Sequence, residues 1–148
     1  MQVIGFNFEK IQAEKKNQIK GKVQISSNID IKSVTEEKIN VVKDKPALKL
    51  RFSFIVEYKP DIAEILLDGF VLLLVEKDEA KNALKRWKKK EIPNEIRIPI
   101  FNLILTKANL RALQLEEELS LPTHVPLPRL KSQQEIEQES PGKTKYAG

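Results

Sequence analysis

The sequence predicts an α+β fold: a four-stranded antiparallel sheet, built as a meander, followed by a short helix and a long helix packed on one side. Three observations carry that expectation. Hydrophobic residues recur with period two through the first half of the chain, and the period becomes helical only after Asp78. Four strand-like segments also follow one another with no helical crossover, which parallel pairing would need. At 148 residues, 41% hydrophobic and 32% charged, the chain suffices for one core. That domain is expected over residues 1–130, with a disordered polar tail over 131–148.

In the first strand Ile4, Phe6 and Phe8 alternate with Gly5 and Asn7, and Ile11 arrives out of phase, as after a bulge or a strand end. The second strand is read from Ile19, Gly21, Val23, Ile25, Ser27, Ile29 and Ile31, with a bend near Ser26 and Ser27. A polar connection containing Lys43, Asp44, Lys45 and Pro46 leads to the clearest alternation. There Leu48, Leu50, Phe52, Phe54, Val56 and Tyr58 oppose Lys49, Arg51, Ser53, Ile55, Glu57 and Lys59. Pro60-Asp61 marks a turn. The fourth strand, within Ile62 to Glu76, is apolar on both faces from Gly69 to Val75, so both faces require cover.

Ala80, Ala83, Leu84 and Trp87 then fall at helical spacing, with Lys81, Lys85, Lys88 and Lys89 opposite. Ile92-Pro93 ends this helix. Asn94 is the expected cap of a long helix over about residues 95–118, with Pro99 in its first turns. Ile96, Ile100, Leu103, Ile104 and Leu110 mark one stripe of that helix. Phe101, Leu105, Ala108, Ala112, Leu115 and Leu119 mark a second. Two stripes and a two-faced strand exceed what one small core consumes, and an exposed surplus of that kind aggregates unless a partner covers it. A homo-oligomer is therefore expected, with Leu72, Leu74, Ala108, Ala112 and Leu115 as its interface. Leu121 to Pro128 holds three prolines separated by apolar residues and reads as an extended strip lying on a surface.

The chemistry open to the chain is narrow. With no Cys and a single His it lacks a thiolate nucleophile, a disulfide framework, a His-based metal site and an ordinary catalytic triad. Five glycines form no phosphate-binding loop, so no cofactor is expected, and no residue is nominated as catalytic. His124 has no acid nearby in sequence and reads as a surface or packing residue. Glu116, Glu117 and Glu118 point in different directions around a helix and read as its solvated end.

Lys81, Lys85, Arg86, Lys88, Lys89 and Lys90 surround Trp87 in a basic patch that suggests nucleic acid as one partner. The phase of Trp87 with Ala80, Ala83 and Leu84 favours a core aromatic backed by a solvated basic face. The longest unbroken apolar run, Phe70 to Val75, falls far short of the roughly 20 residues of a membrane span. The start of the chain lacks the pattern of a signal peptide, and a cytoplasmic location is the expectation.

The order of elements resembles that of the SecB-type export chaperones. The resemblance rests on Phe6-Asn7-Phe8-Glu9, Phe52-Ser53-Phe54-Ile55-Val56, Gly69-Phe70-Val71-Leu72, Ile98-Pro99-Ile100-Phe101 and the strip from Leu121 to Leu127, and it covers about residues 2–130. It implies a dimer of dimers that holds non-native polypeptide clients in apolar grooves without ATP, with no enzymatic activity. Within that resemblance, client contacts are expected at Phe101, Leu105, Leu121, Val125 and Leu127. Bacterial members present an acidic sheet surface to the translocase motor. The wet face of the third strand here carries Lys49, Arg51 and Lys59 against Glu57, so docking to that motor is not expected. The chain is more similar to the SecB-like branch that guards antitoxins and other aggregation-prone clients.

Overall fold

The structure is a computed structural model that describes residues 1–38 and 45–134. Most of the polar connection before Pro46, and the expected tail from residue 135 onward, lie outside the described residues.

Strands β1 (Gln2–Lys15), β2 (Gln24–Glu37), β3 (Ala47–Lys59) and β4 (Ala63–Leu74) form one antiparallel sheet, as the alternation requires, in the order β1-β4-β3-β2. β2, β3 and β4 run as a meander, while β1 pairs with the far side of β4. The chain after β1 must therefore travel to the opposite edge. It does so over the β3–β4 turn, where the backbone N–H groups of Lys16 and Asn17 donate to the Ile62 carbonyl at 2.7 and 3.1 Å. Asn17 Nδ2 donates to the Asp61 carbonyl at 2.6 Å in the same place. These bonds occupy backbone groups that the crossing would otherwise leave unpaired.

The expected irregularity in β1 falls between Phe8 and Lys10, where one extra residue returns Ile11 to the face already used by Phe8. β2 differs from its expectation. It starts at Gln24, because Gly21 takes a left-handed φ of 77° and Ile19 lies in the crossing segment. Its register runs unbroken through Ser26 and Ser27, and the irregularity sits between Ile31 and Ser33. This bulge lets Ile31 and Val34 share the core face, and both are buried.

That core face is built from the even residues of β3 and the odd residues of β4, of which Leu48, Val56, Ile65, Leu67, Val71 and Leu73 have no exposed surface. Gly69 is the necessary gap in this layer. A Cβ there would collide with the Asn7 carbonyl and come within 2.8 Å of the Phe52 ring. The space it leaves admits Phe52, which stacks on Phe6 at 5.4 Å and meets Phe8 edge-on at 6.2 Å.

Helices α1 (Lys77–Trp87) and α2 (Asn94–Glu118) follow the sheet. α2 buries one row with a spacing of four: Ile96, Ile100, Ile104, Ala108 and Ala112, then Leu115 and Glu116. The row takes members from both expected stripes and corrects them, since Leu110 is 58% exposed and Leu103 only half-buried. Side chains four apart stack on one helix face, and the two alanines let the helix approach its neighbours closely. Asn94 corrects a second expectation. It is already helical, Pro93 precedes it as the cap residue, and the side chain makes no capping bond. The Pro93 carbonyl instead accepts from the N–H groups of Ile96 and Arg97 at 3.0 and 2.8 Å. Pro99 lies inside the helix, where its ring nitrogen has no proton for the Glu95 carbonyl.

On the sheet face away from the core, Ile55, Leu66, Phe70 and Leu72 are half-buried. Lys49 places its Nζ 4.3 Å from the Phe70 ring centroid, and Arg51 pairs with Glu9. The apolar second face of β4 is thus partly shielded by cations from its own sheet.

Candidate peptide-binding site

The end of α1 folds back sharply. Lys89 and Lys90 donate to the carbonyls of Arg86 and Trp87 at 3.0 and 2.8 Å, and Glu91 donates to Arg86 at 3.1 Å. Lys90 adopts a left-handed φ of 59° to make the turn. Trp87 packs against the core as its phase predicts, but at the end of its helix it stays half-buried. Its ring borders a cleft of about 710 Å³. β2 forms one wall through Ile29 and Ile31, the α1–α2 turn contributes Ile92, and α2 contributes Phe101.

The rim of the cleft is charged. Lys32 pairs with Asp30 at 2.9 Å, and Arg86 with Glu91 at 3.7 Å. Lys90 Nζ stands 4.7 Å from the Trp87 centroid, and Arg97 projects from the first turn of α2. Among the described residues, neither Lys90 nor Arg97 has an ion-pair partner. Both are exposed. The cleft therefore combines apolar walls with two uncompensated cations.

A second cluster lies where the Pro-rich strip meets the end of α2. Glu116 is fully buried, and so is the imidazole of His124. His124 Nδ1 lies 2.7 Å from Glu116 Oε2, its backbone N–H donates to Oε1 at 3.0 Å, and Nε2 lies 2.8 Å from Asn109 Oδ1. Tyr58 donates its hydroxyl to the Pro122 carbonyl at 2.7 Å. Burial first, and then the charge and hydrogen bonding of Glu116, push the Tyr58 hydroxyl well above its ordinary value of 10.0. The ring of His124 meets Phe54 edge-on at 6.0 Å. These contacts hold the strip onto the core face of β3. They correct one expectation, since Glu116 is no solvated helix end, and decide another, since His124 is a packing residue, with an acid partner eight residues away. Glu116 continues the four-residue row of Ile96 to Ala112, and that row was the available signal. Its length is consistent with a side chain turned inward.

The client contacts expected from the sequence separate in space. Phe101 lines the cleft and Leu105, 36% exposed, lies one turn further along α2. Leu121 is buried, Val125 half-buried and Leu127 54% exposed. Of the expected interface residues, Ala108, Ala112 and Leu115 are covered by their own chain, Leu74 is 4% exposed, and Leu72 is half-buried on the opposite sheet face. Lys81, Lys85, Arg86, Lys88, Lys89 and Lys90 are all exposed, but only Arg86 and Lys90 reach the cleft. Among the described residues, no group of three or more acidic or His side chains converges as a metal site, and no helix is long and apolar enough to cross a membrane.

No protein-family model matches the sequence. A search of curated proteins finds no match either. Among solved structures the chain is similar to the SecB-like chaperone of Mycobacterium tuberculosis, determined in complex with a ChAD peptide from the HigA1 antitoxin. The likeness has a TM-score of 0.57 at 13% sequence identity and covers 88% of this chain and 91% of that one. At this identity the likeness is one of fold, a SecB-like sheet followed by helices, which agrees with the architecture expected from the sequence.

Proposed function

We propose that the chain is an ATP-independent holdase that retains extended or non-native polypeptide segments. The observation that carries this reading is the open cleft between Trp87 and Phe101, where Ile29, Ile31 and Ile92 join the two aromatics inside a charged rim. The fold it shares with a peptide-bound chaperone supports the same reading. Side chains of a client enter the recess and leave water. At about 25 cal/mol per Å² of apolar surface, a cleft with this little apolar lining contributes only about 1–2 kcal/mol per anchor, so retention depends on several weak contacts made at once. Leu105 and Leu127 extend the exposed apolar surface, and release needs no nucleotide.

A homo-oligomer belongs to this proposal, with Leu72 and the half-buried residues around it as the surface a second copy covers. A dedicated client in the cytoplasm fits the basic residues of β3, Lys49, Arg51 and Lys59, better than a role in export.

The test is suppression of light scattering from an aggregating, chemically unfolded client, at low and high salt and without nucleotide, with the protein's mass determined in parallel. Suppression near stoichiometry that persists at high salt is expected. It should weaken several-fold in Trp87→Ala and Phe101→Ala while circular dichroism stays unchanged. No suppression from folded wild-type protein would end this reading. Loss of suppression on converting Lys81, Lys85, Lys88 and Lys89 to Gln, with folding intact, would move the activity to the basic face.

A further inference from the structure

We infer that the cleft selects segments in which an aromatic or aliphatic side chain is flanked by acidic residues. This deepens the proposed holdase function and rests on it. The apolar walls of Trp87, Phe101 and Ile29 define an anchor pocket but carry no preference among apolar side chains. The discrimination comes from the rim. Asp30 and Glu91 each engage a cation within the cleft, Lys32 and Arg86. Lys90 and Arg97 remain, and among the described residues no carboxylate answers them.

Their placement suits flanking carboxylates. Lys90 is held over the Trp87 ring, 4.7 Å from its centroid, so its ammonium sits at the edge of the space an anchor would fill. Arg97 lies one turn before Phe101 on α2 and lines the same cleft. Asn94, in the first turn of the same helix, also lines the cleft, and no side chain caps that end. An acidic residue on either side of the anchor would thus meet a positive group, whereas a basic flank would meet two like charges.

Nucleic acid is the competing polyanion. The carboxylates of Asp30 and Glu91 line the same cleft and would repel a phosphate backbone. Lys81, Lys85, Lys88 and Lys89 lie outside it, so the cations do not form a continuous track along it. A short peptide with two or three separated carboxylates matches this pattern better.

Trp87 is the only tryptophan in the chain, so intrinsic fluorescence reports directly on this cleft. The experiment titrates the full chain with three peptides that share one phenylalanine anchor and differ in having Glu, Ser or Lys on both sides, at low and high salt. A single-stranded oligonucleotide of similar length serves as a fourth probe. The Glu-flanked peptide is expected to bind roughly five- to ten-fold more tightly than the Ser-flanked one at low salt, as two exposed charge pairs allow. That advantage should shrink at high salt, and the Lys-flanked peptide should bind weakest. The double variant Lys90→Gln, Arg97→Gln should bring the ratio of Glu-flanked to Ser-flanked affinity to about one, whatever the shift in the Ser-flanked affinity itself. Equal affinity for Glu and Ser flanks would overturn the charge selection and leave the holdase reading standing. No response to any peptide, together with no suppression of aggregation, would remove both. An oligonucleotide that binds more tightly than the Glu-flanked peptide would assign the cations to nucleic acid instead.

Discussion

Substituting Glu116 by Ala should destabilise the domain far more than its position near a helix end suggests. The carboxylate is fully buried and lies within hydrogen-bond distance of the imidazole of His124, itself without exposed surface, and of its backbone N–H. Removing it leaves a buried ring nitrogen and a buried N–H without an acceptor, and it vacates space beside Leu115 and Leu121. Breaking a buried pair from one side typically costs about 3–5 kcal/mol. For a domain of this size each kcal/mol is worth about 3–4 °C, so the melting temperature should fall by roughly 10–20 °C. Glu116→Gln keeps an acceptor oxygen and should lose about half as much. The assay is thermal and urea unfolding at fixed protein concentration, run as a double-mutant cycle with His124→Ala. A coupling energy of at least about 2 kcal/mol is expected, because after the first truncation the second removes little more. Limited proteolysis supplies a local readout, since Thr123 to Pro128 should become cleavable in either variant. A loss below about 1 kcal/mol with the strip still protected would refute the claim that this pair fastens the strip.

Three further outcomes follow from the same packing. Tyr58 keeps its proton in the folded state to higher pH than the ordinary value of 10.0 for a free tyrosine. The unfolded chain therefore releases that proton first, and stability present below about pH 10 should decline as the pH rises beyond it. Tyr58→Phe should flatten that alkaline decline while costing about 1 kcal/mol at neutral pH for the lost bond to Pro122, as alkaline unfolding curves would reveal. Gly69→Ala drives a methyl into the Asn7 carbonyl and the Phe52 ring, and an overpacking loss of about 1–3 kcal/mol is expected by denaturant titration. Ile104→Ala should cost about 2–5 kcal/mol, whereas Leu110→Ser on the exposed side of α2 should stay within about 0.5 kcal/mol. A large loss for Leu110→Ser, dependent on protein concentration, would place that residue in an interface between copies.

Period and punctuation were enough to specify the element types. Alternation along Leu48 to Tyr58 already separates a wet face from a buried one, because a pleated strand points successive side chains to opposite sides. The out-of-phase Ile11 signals a bulge for the same reason, and the shift in spacing after Asp78 marks the start of the helices. These are local properties, carried by a few neighbouring residues. Pairing is not local. Nothing in the strand patterns told β1 to sit beside β4, since that choice depends on bonds from Lys16 and Asn17 to a turn more than forty residues away. The same limit applies to the sites. Trp87 is in phase with a core stripe and packs against the core, yet at the end of its helix one side of the ring stays open and borders a cleft. In isolation Glu116 looks like a solvated residue and His124 like a surface or packing residue. Burial of either alone would be prohibitive, and together they become tolerable only because the strip folds back eight residues later and brings an imidazole to a carboxylate inside a low-dielectric interior.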